Sequence, residues 1–383
     1  MYKIAIFLSV AFAVMAGAIA SKPQSRRHDV LLALEQALPS SSDPHEPGYV
    51  LSVLQQGRPL FQVRSGSADI EQARMITDDS VFHVASLSKQ ITAAALAHAL
   101  MDGLISLDDP VGKWEPGARK YGDELTIAHL VYMTSGLTEY TDLPGPGGRP
   151  WATFHYFTID DAIAASLSVD DLLFAPGSEW RYSNTNYMLI ARIIGKAYGQ
   201  PFADVVRLKI FEPLGMSSSL INDDVTTIIP NRANAYLPRS EPVLTELASG
   251  AGVSAEAGEG LVMIRRNAPH YGGSGVMTSM ADWTKWQNEL LTRSVFGDEF
   301  WSIMTGRRSF DHDKSNDAFG LVHGRQNGQR TLWYAGGDID ASSYAITFLD
   351  KKISISCFSN NPIDSCEQKA LRAANAIFGR LPD

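Results

Sequence analysis

The sequence predicts an α+β fold in which one antiparallel sheet, built from strands near both ends of the chain and flanked by helices, encloses an inserted, mostly helical lobe. Three observations predict it. β-rich runs with turn composition occupy Tyr49 to Val63 and recur near the other end. Helical spacing with Pro/Gly-rich breaks fills the middle, and a last helical stretch, Glu367 to Phe378, follows the final strand.

At the amino end, Lys3 precedes an apolar stretch from Ile4 to Val14 and the small-residue sequence Ala18-Ile19-Ala20. This is the pattern of a secretory signal over 1–20, cleaved after Ala20. The apolar run is shorter than the ~20 residues a spanning helix needs, and no longer one follows, so the expectation is a protein without a membrane span, in the periplasm or outside the cell. The basic cluster Lys22 to Arg27 falls in the expected disordered start of the mature chain. Formal charge is −9 and dispersed, which argues against nucleic-acid binding, and 45% hydrophobic residues suffice for a sizeable core.

In YVLSVLQQGRPLFQV two strands are separated by Gln55-Gln56-Gly57-Arg58-Pro59, a hairpin composition. Helices are expected at Ile127 to Met133, Thr158 to Leu167, Asn186 to Tyr198 and Phe202 to Ile210. Leu143 to Pro150 must be a loop, and Leu237 to Gly260 is a weakly patterned excursion or flap. Strands follow at Arg330 to Tyr334, Ser343 to Phe348 and Ile353 to Phe358. The division expected is a sheet lobe of residues 21–115 and 270–383, a helical lobe of 116–269, and a catalytic cleft between them.

The chemistry concentrates in a few places. Ser86 opens an Ala-rich helix pattern that ends near Gly103, and Lys89 returns to the same face one turn on, pairing a nucleophile with a base. In Arg181-Tyr182-Ser183-Asn184, Tyr182 offers a second proton carrier and Asn184 an amide that can orient the lysine and meet a substrate amide. Trp151, Phe154, Tyr156 and Phe157 are an aromatic cluster suited to core packing or an acyl-binding wall. His83, His129, His270 and His323 have no partner signature in sequence, and none is assigned as catalytic base. Asp311-His312-Asp313 has no further ligand nearby and reads as a solvated loop, so neither metal nor cofactor is expected. Cys357 and Cys366, the only cysteines, are free to pair across a short loop in a secreted protein, separately buried thiols being the alternative.

From Tyr49 to Leu349 the chain resembles the serine β-lactamase and penicillin-binding-protein superfamily, in its class C-like branch of β-lactamases, esterases and peptidases. The resemblance rests on VFHVASLSKQ, GLISLDDPV, LTIAHLVYMTSGL, FAPGSEWRYSNTNYMLIARIIGKAYGQ, IFEPLGM, GGSGVMTSMADW and the FGL at Phe319 to Leu321, in that order. It implies the β-lactamase/transpeptidase-like fold and a covalent acyl-enzyme on Ser86, with Lys89 and Tyr182 as the proton-handling pair and Asn184 at the substrate. The third motif of such proteins, K-T-G or H-x-G, falls on Tyr334-Ala335-Gly336-Gly337, with a neutral phenol replacing the cation. By the same resemblance, the backbone N–H groups of Ser86 and Gly337 form the oxyanion hole, and Tyr334, Gly336 and Gly337 line the substrate.

A missing cation weakens the hold on a substrate carboxylate. Asp338 and Asp340 would add negative charge unless Arg325 or Arg330 offsets them, so neutral or amine-bearing acyl substrates are expected. The leading expectation is a secreted esterase or amidase acting on a small-molecule or peptide acyl group. A D,D-carboxypeptidase or β-lactamase is the alternative, and a non-catalytic binding protein on the same fold a third reading. Sequence assigns no oligomeric state.

Overall fold

The computed structural model describes residues 22–148, 151, 156–240, 257–266, 268, 270–310 and 317–379. The expected signal over 1–20, Phe154, Asp311-His312-Asp313 and most of the excursion 237–260 lie outside the described residues. A pair of antiparallel strands, Ala235–Pro238 with Leu261–Ile264, borders that excursion.

The main sheet has six strands in the order Val322–Gln326, Gln329–Asp338, Ala341–Phe348, Ile353–Ser359, Tyr49–Gln55, Arg58–Ser65. All neighbours are antiparallel. The amino-terminal hairpin joins the carboxy-terminal meander through Tyr49–Gln55, with Val53 opposite Ile355. Its turn narrows to Gln56 and Gly57, at φ 51° and 76°, the mirror-image turn whose twist matches that of paired strands.

Side-chain alternation sorts the sheet into two cores. Cys357 and Ile355 face one side, with Leu34, Ala370 and Ile377, whereas Phe358 faces the other, with Phe82 and Trp283. The first side is covered by helices Lys22–Ala37 and Cys366–Phe378. The chain is therefore helical where Lys22 to Arg27 was expected to be disordered: Val30, Leu34 and Leu38 recur every four residues and bury a stripe from which the first turns extend.

The larger core holds helix Ser88–Met101, nearly all of it buried, together with Ile127–Val131, Ile159–Leu167 and Asn184–Tyr198. Thr158 and Asp161 cap the third of these reciprocally, and Gly199, at φ 64°, closes the last. Phe202–Val206 continues into a π-helical turn, Arg207–Phe211. A three-stranded sheet, Val81–His83, Val276–Ser279, Leu220–Ile221, and helices Met280–Thr292 and Gly297–Met304 complete the layer. The small sheet has no counterpart among the sequence expectations, yet its strand Val81–His83 delivers the chain to Ser86.

Candidate active site

Ser86 sits in the tight 3-10 turn Ala85–Leu87, just ahead of the helix that begins at Ser88. Ala85 is held at φ 45°, a left-handed conformation costing an alanine about 1–2 kcal/mol, so the turn must be fixed by its surroundings. Ser343 Oγ donates to the Val84 carbonyl at 2.7 Å, and Val276 N donates to Ser88 Oγ at 3.0 Å. Thr92 Oγ1 donates to the Gly272 carbonyl at 2.7 Å, which brings the next residue, Gly273, under the lysine.

Lys89 is fully buried. Its Nζ has four acceptors: Tyr182 Oη at 2.6 Å, the Gly273 carbonyl at 2.6 Å, Asn184 Oδ1 at 2.8 Å and Ser86 Oγ at 3.2 Å. An ammonium has three hydrogens, and the three shorter contacts account for them. Tyr182 Oη lies 2.7 Å from Ser86 Oγ, so the phenol stands between serine and lysine. Gly320, from the FGL segment, supports the lysine from behind: at φ 61° a Cβ there would come within 2.5 Å of the Lys89 carbonyl.

Asn184 opens the helix Asn184–Tyr198, two residues earlier than its spacing suggested, so the amide projects from a first helical turn. The carboxylate of Glu139, a residue sequence reasoning passed over, accepts from Ser183, Asn184 and Thr185 together. Its signal was present in retrospect: Ser183-Asn184-Thr185 is a run of three donors that needs an acceptor when buried.

The opposite wall is the strand Gln329–Asp338. Gly336 packs against the turn that carries Ser86, where a Cβ would meet Ser343 Oγ at 2.2 Å, the Val84 carbonyl at 2.6 Å and the Ser86 nitrogen at 3.1 Å. Gly337 faces open space. Burial, with Tyr182 and Tyr187 nearby, holds the Tyr334 phenol well above its ordinary range, so at this position the site presents a neutral group.

The two aspartates that follow are already paired, and not by the residues expected. Arg330 is paired with Asp350, and Arg325, opposite it on the neighbouring strand, reaches the Gly328 carbonyl through Nη1. Asp338 instead takes two hydrogen bonds from Arg266, one of them at 2.9 Å from Nε. Asp340 Oδ1 is 2.7 Å from His83 Nδ1, and the His83 Nε2 is 2.8 Å from Ser274 Oγ. Burial opposes charge on His83, but Asp340, aided by Asp338, outweighs it and raises the imidazole pKa; burial likewise opposes charge on Asp340, but His83 and Arg266 outweigh it and hold that carboxyl far below its usual range. The pairing neutralises the charge on which an amine preference rested.

Among the described residues, His83, Asp338 and Asp340 bring potential metal-ligand atoms within 4.8 Å of one another. The arrangement does not suit a cation. Both ring nitrogens of His83 are engaged, and the Arg266 guanidinium occupies Asp338.

Of the aromatic cluster, Trp151 and Phe157 pack together at 4.7 Å between ring centroids and enclose Tyr140, whereas Tyr156 is exposed. His129 joins the Thr126 cap, His270 packs against Phe157, and His323 Nε2 lies 2.9 Å from the Thr305 carbonyl. Cys357 and Cys366 form a disulfide, their Cα atoms 5.3 Å apart. No helix among the described residues is long and apolar enough to cross a membrane.

A family model described as Beta-lactamase matches residues 32–377. Esterase EstB of Burkholderia gladioli is 35% identical over 181 residues, 44% of this chain and 45% of that protein. Penicillin-binding protein 4* of Bacillus subtilis (strain 168) is 30% identical over 217 residues, 56% of this chain and 45% of that protein. The matches thus span about half the length of these curated relatives. Among solved structures, D-amino acid amidase from Ochrobactrum anthropi SV3 in complex with L-phenylalanine amide superposes with a TM-score of 0.73 at 21% identity, covering 92% of this chain and 99% of that one. The octameric penicillin-binding protein homologue from Pyrococcus abyssi gives 0.71 at 20% identity, covering 93% and 78%. These likenesses show the β-lactamase/transpeptidase-like fold.

Proposed function

The chain belongs to the beta-lactamase family, and on that premise we propose that it is a secreted serine hydrolase that cleaves a neutral ester or amide through an acyl-enzyme on Ser86. The observation that carries this reading is the closed triangle of Ser86 Oγ, Tyr182 Oη and Lys89 Nζ, with sides of 2.7, 2.6 and 3.2 Å.

In the proposed reaction Tyr182 enters as the phenolate: Ser86 Oγ attacks the substrate carbonyl carbon as its proton passes to the unprotonated Tyr182 Oη, 2.7 Å away. Lys89, with its three hydrogens directed to Tyr182, Asn184 and Gly273, stabilises the phenolic oxygen while it lacks its proton. The oxyanion is taken by the backbone N–H groups of Ser86 and Gly337, worth about 3 kcal/mol per donor in comparable sites. Tyr182 returns the proton to the departing alcohol or amine, and water then repeats the sequence to release the acid. Convergence of Ser86, Lys89, Tyr182 and Asn184 to hydrogen-bond distance favours catalysis over a binding role.

The neutral Tyr334 supports an uncharged substrate over a carboxylate-bearing one. The relatives keep a second reading open: a D-aminopeptidase of Gluconobacter oxydans is 29% identical over 192 residues, and D-alanyl-D-alanine-carboxypeptidase/endopeptidase AmpH of Escherichia coli 33% over 145. Secretion rests on the amino-terminal pattern alone. Parallel turnover of a p-nitrophenyl ester, a chromogenic cephalosporin and a D-amino-acid amide by wild type and Ser86→Ala tests the proposal. The ester should be the best substrate and all turnover should require Ser86; preference for the cephalosporin would overturn the substrate assignment.

A further inference from the structure

We propose that Glu139 is a positioning residue for acyl transfer, acting by fixing which end of the Asn184 amide faces Lys89. The inference rests on the reading of Ser86, Lys89 and Tyr182 as the reacting groups.

Glu139 lies just before the short helical turn Tyr140–Asp142 and is 8% exposed. Its Oε2 accepts from Ser183 Oγ at 2.7 Å, Thr185 N at 3.2 Å and Thr185 Oγ1 at 3.3 Å, and its Oε1 accepts from Asn184 Nδ2 at 3.2 Å. Every contact comes from a donor. A side-chain amide is pseudo-symmetric in shape but not in chemistry, so what meets one end dictates the other. With Nδ2 held by a carboxylate, Oδ1 must face inward, where it accepts from Lys89 Nζ at 2.8 Å and lies 3.3 Å from Tyr182 Oη. Flipped, the amide would point N–H groups at an ammonium, and one lysine hydrogen would lose its acceptor.

The position of Glu139 is itself fixed. Tyr140 N donates to Thr185 Oγ1 at 3.1 Å, and the Tyr140 ring packs between Trp151 and Phe157. The carboxylate therefore stands on a rigid base, one amide away from the lysine.

A pair exchange tests this. Glu139→Gln puts an amide N–H against the Asn184 N–H and removes the reason for its orientation. Asn184→Asp puts two carboxylates together. The double variant Glu139→Gln/Asn184→Asp restores one donor facing one acceptor, keeps an oxygen toward Lys89 and keeps one negative charge. The readout is the rate constant for acylation by a fluorophosphonate across pH 5–10, with near-UV circular dichroism reporting the fold. Each single variant should acylate roughly 10- to 100-fold more slowly, with a displaced pH profile, and the double variant should recover to within about tenfold of wild type.

A folded double variant no faster than the slower single would overturn the proposal, as would a Glu139→Gln variant with wild-type rate and pH profile. If Glu139→Gln alone does not fold, the double variant decides directly; if that too does not fold, Ser183→Ala decides. Ser183→Ala removes one donor to Oε2 but leaves both the Asn184 contact and the Tyr140 anchor on Thr185, so it should lose stability while keeping its acylation rate. A Ser183→Ala variant as slow as Asn184→Asp would also overturn the proposal. Absence of labelling in wild type would instead count against the reading of Ser86 itself.

Discussion

Tyr182 Oη lies 2.7 Å from Ser86 Oγ, while Lys89 Nζ lies 3.2 Å from the same oxygen and 2.6 Å from the phenol. The serine proton therefore has its shorter path to the tyrosine. Tyr182→Phe should slow acylation of Ser86 by about 10²–10⁴-fold with the fold intact, as expected for losing a positioned general base. Lys89→Ala should be comparably slow, and the double variant little slower than either, because the two groups act on one proton. Stopped-flow labelling with a fluorophosphonate measures all three; a Tyr182→Phe enzyme at wild-type rate would assign the base to Lys89 alone.

Tyr334 supplies the test of substrate class. Tyr334→His or Tyr334→Lys puts a chargeable group where burial keeps the phenol neutral. A hydrogen bond to a charged group contributes about 1.5–3 kcal/mol, so the ratio of kcat/KM for a carboxylate-bearing cephalosporin to that for a neutral ester should rise at least tenfold. An unchanged ratio would remove Tyr334 from substrate selection.

The His83 and Asp340 pair predicts a pH window of stability. The His83 pKa is raised in the folded chain, so its contribution is fully present below about 6.5 and fades as pH climbs through the folded value. The Asp340 pKa is depressed, so its contribution is present above about 3.9 and fades as pH falls through the folded value. The stability advantage of wild type over His83→Gln should thus be largest between about pH 4 and 6.5, on the order of 3 kcal/mol for a buried pair losing one partner. Asp338, Arg266 and His270 also face this pair, so Arg266→Met should shift the window. Urea titrations at several pH values would measure it; a pH-independent difference would contradict the pairing.

Fold and site were legible in different degrees. Ser86 and Lys89 could be found because helical periodicity fixes their relation over three residues, and the hairpin at Gln56-Gly57 because its turn is local. The carboxy-terminal strands were visible through β-branched runs, although Gln329–Asp338 extends beyond the apolar stretch because Gly336 and Gly337 pair by backbone alone. What sequence could not show was long-range pairing of polar groups: His83 finds Asp340 across 257 residues, and Glu139 finds Asn184 across 45. Arg266 was missed for the same reason, and Arg325 and Arg330 were considered only because they are near in sequence. The helix Lys22–Ala37 was masked by its charged first turns, its apolar stripe lying later.

The Cys357–Cys366 disulfide joins the last strand to the last helix across a separation of nine residues. Closing so short a loop stabilises by roughly 2–3 kcal/mol. Cys366→Ala should lose about that much in chemical denaturation while retaining ester turnover, since the pair lies on the sheet face away from Ser86. Equal stability with and without reductant would show that the bond contributes nothing.

The most direct test of the central claim is intact-mass and peptide mapping of the protein after incubation with a fluorophosphonate. A single adduct on Ser86, absent from Ser86→Ala and strongly slowed in Tyr182→Phe, is the predicted result. An adduct on another residue, or labelling that persists undiminished in Ser86→Ala, would contradict the claim that this serine carries the acyl group.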